Sequence, residues 1–207
     1  MTGTVGSQSH LAYRVLEQQI VTLKLKPGAL VNERQLIDVS GFGRTPVREA
    51  IQKLEWQGLV LVRPRVGLQI AEIHPGDHAA IMAVRLKLEP LLARLAAEHA
   101  TEPLRLDLLD CAQAMTAAAA AGSFDTFLSA DKAFDEILEE ACPNPFLVSA
   151  VAPLQSHSRR MWYAAATVSK MECSVSLHVA VIGAIRQGEG DAAEHAMAEL
   201  LAYLNDG

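Results

Sequence analysis

Two arginines four positions apart open the segment whose residue types point most directly to chemistry. Arg44 and Arg48 stand in the run Gly-Arg-Thr-Pro-Val-Arg-Glu-Ala. On a helix, residues spaced by four project from one face, about one turn apart. Guanidinium groups at the start of a helix suit phosphate oxygens and guanine edges, and the helix N-terminus itself attracts phosphate. These residues therefore predict a helix that contacts DNA.

The neighbouring residues predict the elements that position this pair. Pro46 suits the first helical position, and Thr45 before it can accept a hydrogen bond from the helix N-terminus. Two short β-branched runs follow at 59–62 and 68–71, and the basic stretch 63–67 separates them. This pattern indicates a β-hairpin with a basic tip. A helix that begins with arginines and precedes a basic hairpin is typical of a winged helix-turn-helix.

The segment upstream supplies the rest of this unit. The Lys-Pro-Gly run at 26–28 predicts a turn, and residues 32–37 open a short helix. The Ser-Gly-Phe-Gly run at 40–43 predicts the tight turn into the arginine-bearing helix. Together these elements complete a helix-turn-helix followed by its wing.

With these residues, the stretch 10–73 resembles the GntR family of bacterial transcriptional regulators. The matches follow the family's order; they are Pro27-Gly28, Leu30, Glu33-Arg34, Leu36, Arg44 to Ala50, Leu54, Gly58 to Val60, Arg63 to Arg65, and Gly67. Two positions depart from the pattern, since Gly43 stands where the family usually has Ser, and Ser40 where it usually has an apolar residue. The resemblance implies binding to a double-stranded DNA operator through Arg34, Arg44, Thr45, Arg48, Arg65 and Gly67. For Arg34, a solvated helix arginine is the alternative.

Charge divides the chain after this unit. Residues 1–74 hold nine Lys and Arg against six Asp and Glu, a balance of +3. Residues 75–207 hold nine against eighteen, a balance of −9, and the two balances sum to the net charge of −6. A basic head attracts phosphate and an acidic body repels it. We therefore expect a DNA-binding domain at 1–74 and a second domain at 75–207.

The second domain is expected to be helical throughout. Helices fit residues 77–100, 102–121, 124–141, 145–168, 171–187 and 190–204. An apolar stripe is predicted on the first of them, formed by Ile81, Val84, Leu88, Leu91, Leu92 and Leu95. Pro90 within it predicts a kink or break. The fold class is thus mostly α, with a winged helix-turn-helix and a small β-hairpin wing, followed by an all-α antiparallel helical bundle that has room for a small ligand.

This second half resembles the FCD ligand-binding domain, which defines the FadR-like branch of the GntR family. The matches are Arg85 with Leu88-Glu89-Pro90, Asp131 with Phe134, Asn144-Pro145, His178, Ala184-Ile185, and Gly188. The resemblance implies a homodimer whose two heads read a palindromic operator, and a small effector that changes operator affinity. Repression relieved by the effector is the commoner arrangement in such families.

The resemblance also implies the residues that would hold the effector. Arg85 matches a family arginine that points into the cavity and grips an acid, and a guanidinium fits a carboxylate bidentately. We therefore expect a carboxylic acid effector, with contacts from Arg85, Asp131, Arg159 and His178. For Arg85, a salt bridge to Glu89 one turn away is the alternative. Of the neighbouring pair Arg159 and Arg160, one is expected to face the cavity and the other to be solvated.

A divalent metal is the cofactor that the resemblance suggests, because many FCD domains hold one with an Asp and three histidines. Asp131 and His178 match two of these ligands, but Asp135 and Leu200 stand at the other two positions. An incomplete site of Asp131, Asp135 and His178 is predicted to hold a metal weakly and to prefer hard ions. The alternative is that these side chains are polar lining of the cavity or surface residues.

Two other function classes compete with a regulator. One is an enzyme that acts on a small substrate at Asp131, Asp135 and His178, which is disfavoured because neither a nucleophile–base pair nor a Gly-rich phosphate loop accompanies them. The other is a winged helix used for protein interaction, which would lack Arg44 and Arg48. The three widely spaced cysteines favour reduced thiols in the cytoplasm. The sequence has no apolar run of about 20 residues, so no membrane span is predicted.

Overall fold

The computed structural model describes residues 7–206, and the chain divides into two compact units between His74 and Pro75. The first unit contains α1 (Gln8–Val21), β1 (Leu30–Val31), α2 (Glu33–Ser40), α3 (Arg44–Trp56), β2 (Val60–Arg63) and β3 (Gly67–Ile70). The second contains α4 (Asp77–His99), α5 (Glu102–Ala120), α6 (Phe124–Ala141), α7 (Pro145–Ala164), α8 (Val168–Gln187) and α9 (Gly190–Asp206). This is a winged helix-turn-helix followed by a helical bundle, as the sequence predicts.

The wing is a three-stranded antiparallel sheet in the order β1-β3-β2. Leu30 pairs with Gln69 across β1 and β3, and Val62 pairs with Leu68 across β2 and β3. The predicted hairpin therefore exists, but β1 is an additional strand that the sequence did not predict. A strand of two residues has no alternation to detect, and its place comes from pairing with β3.

The apolar faces of the three helices and the sheet share one core in the first unit. Its fully buried members include Ala12, Tyr13, Leu16, Ile20, Leu36, Val47, Leu54, Leu59 and Ile70. Lys53 Nζ lies 3.8 Å from the centroid of the Tyr13 ring, which adds a cation–π contact between α1 and α3. This core holds α3 at a defined orientation to α2 and to the wing.

The start of α3 differs from the prediction made for Pro46. The helix begins at Arg44, and Gly43 is its N-cap. Pro46 is therefore the third helical residue and Thr45 the second, so Thr45 does not cap the helix. Proline is tolerated there because the first-turn N–H groups have no intrahelical acceptor in any case.

The bundle helices also depart from prediction at three places. α7 ends at Ala164 and α8 begins at Val168, because the Thr167 hydroxyl caps α8 by accepting from the Lys170 amide. α4 runs through Pro90 without a break. α8 is the one helix in 7–206 long and apolar enough to cross a membrane, although its sequence did not predict one. Its buried residues pack inside the bundle, mainly against α5 and α9.

The apolar stripe predicted for α4 is only partly buried. Val84 is 42% exposed and Leu91 is 41% exposed. The buried face consists of Met82, Arg85, Glu89, Pro90, Leu92, Ala93, Ala96 and Ala97. This face is rotated from the predicted one for two reasons. Arg85 and Glu89, one turn apart, form a salt bridge with each other and can therefore be buried, and the alanines allow α9 to approach closely.

Candidate DNA interface and bundle cavity

Arg44 and Arg48 lie on the solvent-facing side of α3, as the four-residue spacing predicts. Their side chains are 74% and 60% exposed. Both contact one carboxylate on α2, with Arg48 Nε 2.8 Å from Glu33 Oε2 and Arg44 Nε 3.4 Å from Glu33 Oε1. Exposed ion pairs of this kind contribute little stability. Glu33 therefore orients the two guanidinium groups while leaving their outer N–H groups open to a ligand.

The N-terminus of α3 adds to this basic surface. Gly43 offers no side chain, and no described side chain caps this end of the helix. The exposed Thr45 lies in the same first turn. Free backbone N–H groups at a helix N-terminus bind phosphate readily. Because Gly43 has no hydroxyl to cap the helix, these amides stay available to an external anion.

The tip of the wing presents Arg65. Arg65 has φ 65°, in the left-handed region that non-glycine residues rarely adopt. Arg63 at the base is held instead, since its Nε donates to Gln69 Oε1 at 2.8 Å. Gly67 has φ 125°, and a Cβ there would lie 3.3 Å from the Val31 carbonyl oxygen. Gly67 thus has a structural role at the β1–β3 pairing, and Arg65 is the cation at the tip.

Arg34 lies on α2 and is exposed to solvent. A capping box holds the start of this helix, with the Gln35 amide donating to Asn32 Oδ1 at 2.9 Å and the Asn32 amide donating to Gln35 Oε1 at 2.8 Å. The described part of the first unit therefore displays Arg34, Arg44, Arg48 and Arg65 on its surface. Their charge and placement suit contact with a DNA backbone and groove.

The second unit encloses a small cavity of about 30 Å³. Its polar lining comes from Arg85, Glu89, Asp131, Asp135, Gln155, Ser158, Arg159, Ser174 and His178. Its apolar lining comes from Phe127, Leu128, Phe134, Trp162, Met197, Leu200 and Leu204. The four side chains predicted to contact an effector (Arg85, Asp131, Arg159 and His178) are therefore brought together by α4, α6, α7 and α8.

Arg85 is held by a buried carboxylate on its own helix. Its Nε donates to Glu89 Oε1 at 2.6 Å, and its Nη2 donates to Glu89 Oε2 at 2.9 Å. Nη1 donates to the Ser158 hydroxyl on α7 at 2.5 Å. The salt bridge considered as the alternative for Arg85 is thus formed. A second carboxylate could reach this guanidinium only in competition with Glu89.

His178 and Asp131 form a pair across α8 and α6. His178 Nδ1 lies 2.7 Å from the Ser174 carbonyl oxygen, which can only accept, so Nδ1 carries a proton. His178 Nε2 lies 2.9 Å from Asp131 Oδ1. Burial alone would lower the pKa of His178, but the hydrogen bond and charge of Asp131 outweigh it and raise that pKa. Burial would raise the pKa of Asp131, and His178 lowers it instead. Both shifts favour the charged forms of the pair, an imidazolium beside a carboxylate.

Arg159 lies between the two carboxylates of α6. Its Nη1 contacts Asp135 Oδ2 directly and lies 3.5 Å from Asp131 Oδ2, while Nη2 donates to the Ser156 hydroxyl at 3.3 Å. Burial raises the pKa of Asp135 to about 8, because the neighbouring carboxylates Asp131 and Glu89 offset much of the attraction of Arg159. Asp135 is accordingly the carboxyl of this cluster that protonates most readily near neutral pH.

The three side chains considered as metal ligands are not assembled as a ligand set in this structure. Within residues 7–206, no group of three or more His, Cys, Asp or Glu side chains is arranged to hold a metal ion. Asp135 faces Arg159, and His178 Nε2 faces Asp131. Leu200, which the resemblance places at the fourth ligand position, lines the same cavity. The cationic group beside Asp131 and Asp135 is thus a guanidinium, and metal binding stays a prediction.

Gln155 was missed from the sequence, and Arg160 differs from what the sequence indicated. Gln155 lies four residues before Arg159 on α7, a spacing that marks one helix face and would have pointed to it. Arg160 was expected to be solvated if Arg159 faced the cavity, yet it is 1% exposed. Trp162 lines the cavity and packs on Phe127, with ring centroids 4.9 Å apart. Burial of neighbouring arginines depends on helix packing and has no sequence signal.

Comparison with known proteins agrees with both halves of this description. Residues 9–70 match the gntR family of bacterial regulatory proteins, and residues 80–203 match the FCD domain. The chain is 32% identical to the HTH-type transcriptional repressor NanR of Escherichia coli, with 95% of this chain and 81% of that protein covered. It is 30% identical to the uncharacterized HTH-type transcriptional regulator YieP of Escherichia coli, with 95% of each covered.

A solved structure shares the fold. E. coli McbR/YncC superposes with a TM-score of 0.79 at 20% sequence identity, with 96% of this chain and 95% of that chain covered. The relatives are regulators, so the enzyme considered from Asp131, Asp135 and His178 has no support. The exposed arginines on α3 and the match over both units agree, and the chain belongs to the GntR family, in the branch that carries an FCD domain, as a DNA-binding transcriptional regulator with a ligand-binding domain.

Proposed function

We propose that this protein is a cytoplasmic repressor whose operator affinity falls when a small carboxylic acid binds in the bundle cavity. Relatives named as repressors, NanR and RspR of Escherichia coli, favour repression over activation. The carrying observation is that Arg159, a buried guanidinium, lines the cavity and has Asp135 as its partner. Asp135 is the carboxyl whose raised pKa makes it the easiest to neutralise.

The charges of the cavity favour an anionic ligand. With Asp135 protonated, the cluster holds two carboxylates, Glu89 and Asp131, against the three cations Arg85, Arg159 and His178. One uncompensated buried positive charge is costly. A carboxylate that binds to Arg159 in place of Asp135 would restore neutrality, and bidentate geometry would favour it.

Binding requires the cavity to open. A volume of about 30 Å³ is the size of one or two water molecules, which is less than a small acid needs. Trp162 is the half-buried aromatic side chain of the lining, and part of it already faces solvent. We infer that outward movement of Trp162 admits the effector. A ligand that binds only the opened bundle shifts the population of that state, which is how it can alter DNA binding elsewhere.

The proposal includes a homodimer that reads the two halves of a palindrome. A palindromic operator matches a dimer with two-fold symmetry, because each DNA-binding domain of the dimer then contacts one half-site. The exposed apolar residues Val84 and Leu91 on α4 supply a candidate contact. Burying such a stripe against a second copy would remove apolar surface from water.

The test uses a duplex selected by the protein from a random pool and a panel of small mono- and dicarboxylic acids. We expect at least one acid to lower the affinity of the wild type for this duplex, and Arg159→Met to abolish that response. The matched control is Arg186→Met, which removes an exposed arginine of α8 and should respond like the wild type. If no acid changes DNA affinity or the thermal stability of the bundle, the effector class is wrong.

A further inference from the structure

Gln155 is a buried side chain of the cavity wall whose hydrogen-bonding capacity is unused within the described residues. It is 1% exposed and lines the cavity. Neither its Oε1 nor its Nε2 has a hydrogen-bond partner. Folded proteins pair nearly all buried polar groups, because an unpaired amide loses its bonds to water without replacement. A glutamine in a cavity wall whose amide oxygen and nitrogen both lack a hydrogen-bond partner therefore indicates that a ligand in the cavity supplies those hydrogen bonds.

The neighbours of Gln155 do not share this property. Arg85 is engaged by Glu89 and Ser158, and Arg159 contacts Asp135. Gln155 and Arg159 are four residues apart on α7, so their side chains leave one face of the helix about 5–6 Å apart at Cβ. The open amide thus lies one helical turn from the guanidinium to which an acid is expected to bind.

We propose that Gln155 is a specificity-determining contact, which binds a second polar group on the effector. An amide offers one acceptor and two donor hydrogens, so its complement is a group that both donates and accepts, such as a hydroxyl or a primary amide. This inference rests on the proposed function, which assigns the effector carboxylate to Arg159. Together the two residues select small hydroxy acids or amido acids, with the carboxylate at one end and the second polar group at the other.

The apolar lining gives this contact its selectivity. Phe127 and Phe134 line the cavity, and neither has a group that could hydrogen-bond to a ligand in place of Gln155. A ligand with a methyl group at the position of the hydroxyl would leave the amide buried and still unpaired. Sites built to bind a ligand hydroxyl reject the analogue without it strongly for this reason.

The first experiment needs no effector. Gln155→Met replaces the amide with an apolar side chain of similar shape. If the amide is held open for a ligand, the thermal midpoint of the bundle in the full chain should rise by about 2 °C or more. The matched control is Gln113→Met on the exposed face of α5, which should change the midpoint little. A midpoint that falls in Gln155→Met would overturn the inference, because Gln155 would then support the folded state through bound water.

The second experiment compares three probes of similar length, succinamate, 4-hydroxybutanoate and pentanoate, of which the last two also have nearly equal shape. We expect the wild type to bind the first two about tenfold or more tightly than pentanoate, and Gln155→Met to lose this preference. If the preference survives in Gln155→Met, or if the wild type binds all three acids equally, Gln155 is not the contact and the proposed function still stands. If none of the three acids binds the wild type, this inference and the carboxylate assignment fail together.

Discussion

His178 Nε2 lies 2.9 Å from Asp131 Oδ1, and this pair joins α8 to α6 inside the bundle. Phe127 and Phe134 approach the imidazole edge-on, with centroid distances of 6.1 and 5.3 Å. The side chains of His178 and Asp131 are only 4% and 14% exposed, so their charges act at a lower dielectric than in water. Two helices are thereby linked through groups that titrate.

The stability of the bundle should fall between about pH 6 and pH 8.5. The pKa of His178 is raised by Asp131, so the stability it contributes is full below its unfolded pKa of about 6.5 and is lost as pH rises through the folded value. Asp131, with a lowered pKa, keeps its contribution throughout this range. The pKa of Asp135 is raised to about 8, so folding becomes less favourable as pH rises from about 4 to 8.

Asp135→Asn should make this pH dependence shallower, because the neutral amide does not ionise. Thermal unfolding of the full chain at pH 6 and pH 8.5 measures the effect. The matched control is His195→Gln, which changes a 77% exposed histidine paired with Glu199 on α9. An unchanged slope in Asp135→Asn would show that this carboxyl does not titrate in the range.

Loss of either recognition-helix arginine should weaken binding to the selected operator. Arg44→Ala or Arg48→Ala is expected to reduce binding by about 1–3 kcal/mol if the side chain reads a guanine edge. Fluorescence anisotropy at fixed salt measures the change, and Arg186→Ala in the bundle is the charge-matched control. Unchanged affinity in both variants would mean that α3 is not the reading element.

Arg65 should contribute to affinity without selecting sequence. Arg65→Asn removes the charge and keeps a residue that tolerates φ 65°, so the turn at the wing tip is preserved. We expect operator and unrelated DNA to be weakened alike, and the slope of log affinity against log salt to fall by about one. A loss confined to the operator would indicate a base contact instead.

The exposed stripe of α4 should carry the contact between two copies. Leu91→Glu places a charge beside Val84 and Leu88, and is expected to shift the protein from about twice 22.3 kDa towards 22.3 kDa in sedimentation at micromolar concentration. Val179→Glu, on an exposed apolar residue of α8, is the control and should not dissociate the dimer. A wild type that sediments only as a monomer, with or without DNA, contradicts the homodimer.

The wild type should bind a metal weakly, and two substitutions in the cavity should raise its affinity for zinc. Arg159→Met removes the guanidinium beside Asp131 and Asp135, and Leu200→His adds an imidazole in the same cavity. The double variant should bind zinc about tenfold or more tightly than the wild type. Losing a group that only hydrogen-bonds to a metal ligand already lowers metal affinity by about 10–100-fold, and a direct ligand should contribute at least as much. Calorimetry measures this, and Asp131→Ala should abolish it. Stoichiometric zinc in the wild type that survives Asp131→Ala would place the ligands elsewhere.

Local features of the sequence determined most of the first unit. The i, i+4 spacing of Arg44 and Arg48 predicts their shared exposed face, and the pattern Asn32 to Gln35 is a capping box that the structure forms. These features depend on neighbours along the chain, so they are readable without a fold. β1 was missed because two residues become a strand only when β3 lies beside them.

Only the tertiary structure decided how the cavity residues are paired. From the sequence, a resemblance to the FCD domain and a polar patch predicted that the effector contacts Arg85, Asp131, Arg159 and His178. The sequence could not show that Arg85 forms its salt bridge with Glu89. Nor could it show that Arg159, on a different helix, forms salt bridges with Asp131 and Asp135. Partner choice and burial depend on helix rotation and on contacts between α4, α6, α7 and α8. These long-range packing interactions are the reason why the open amide of Gln155 is visible only in the folded protein.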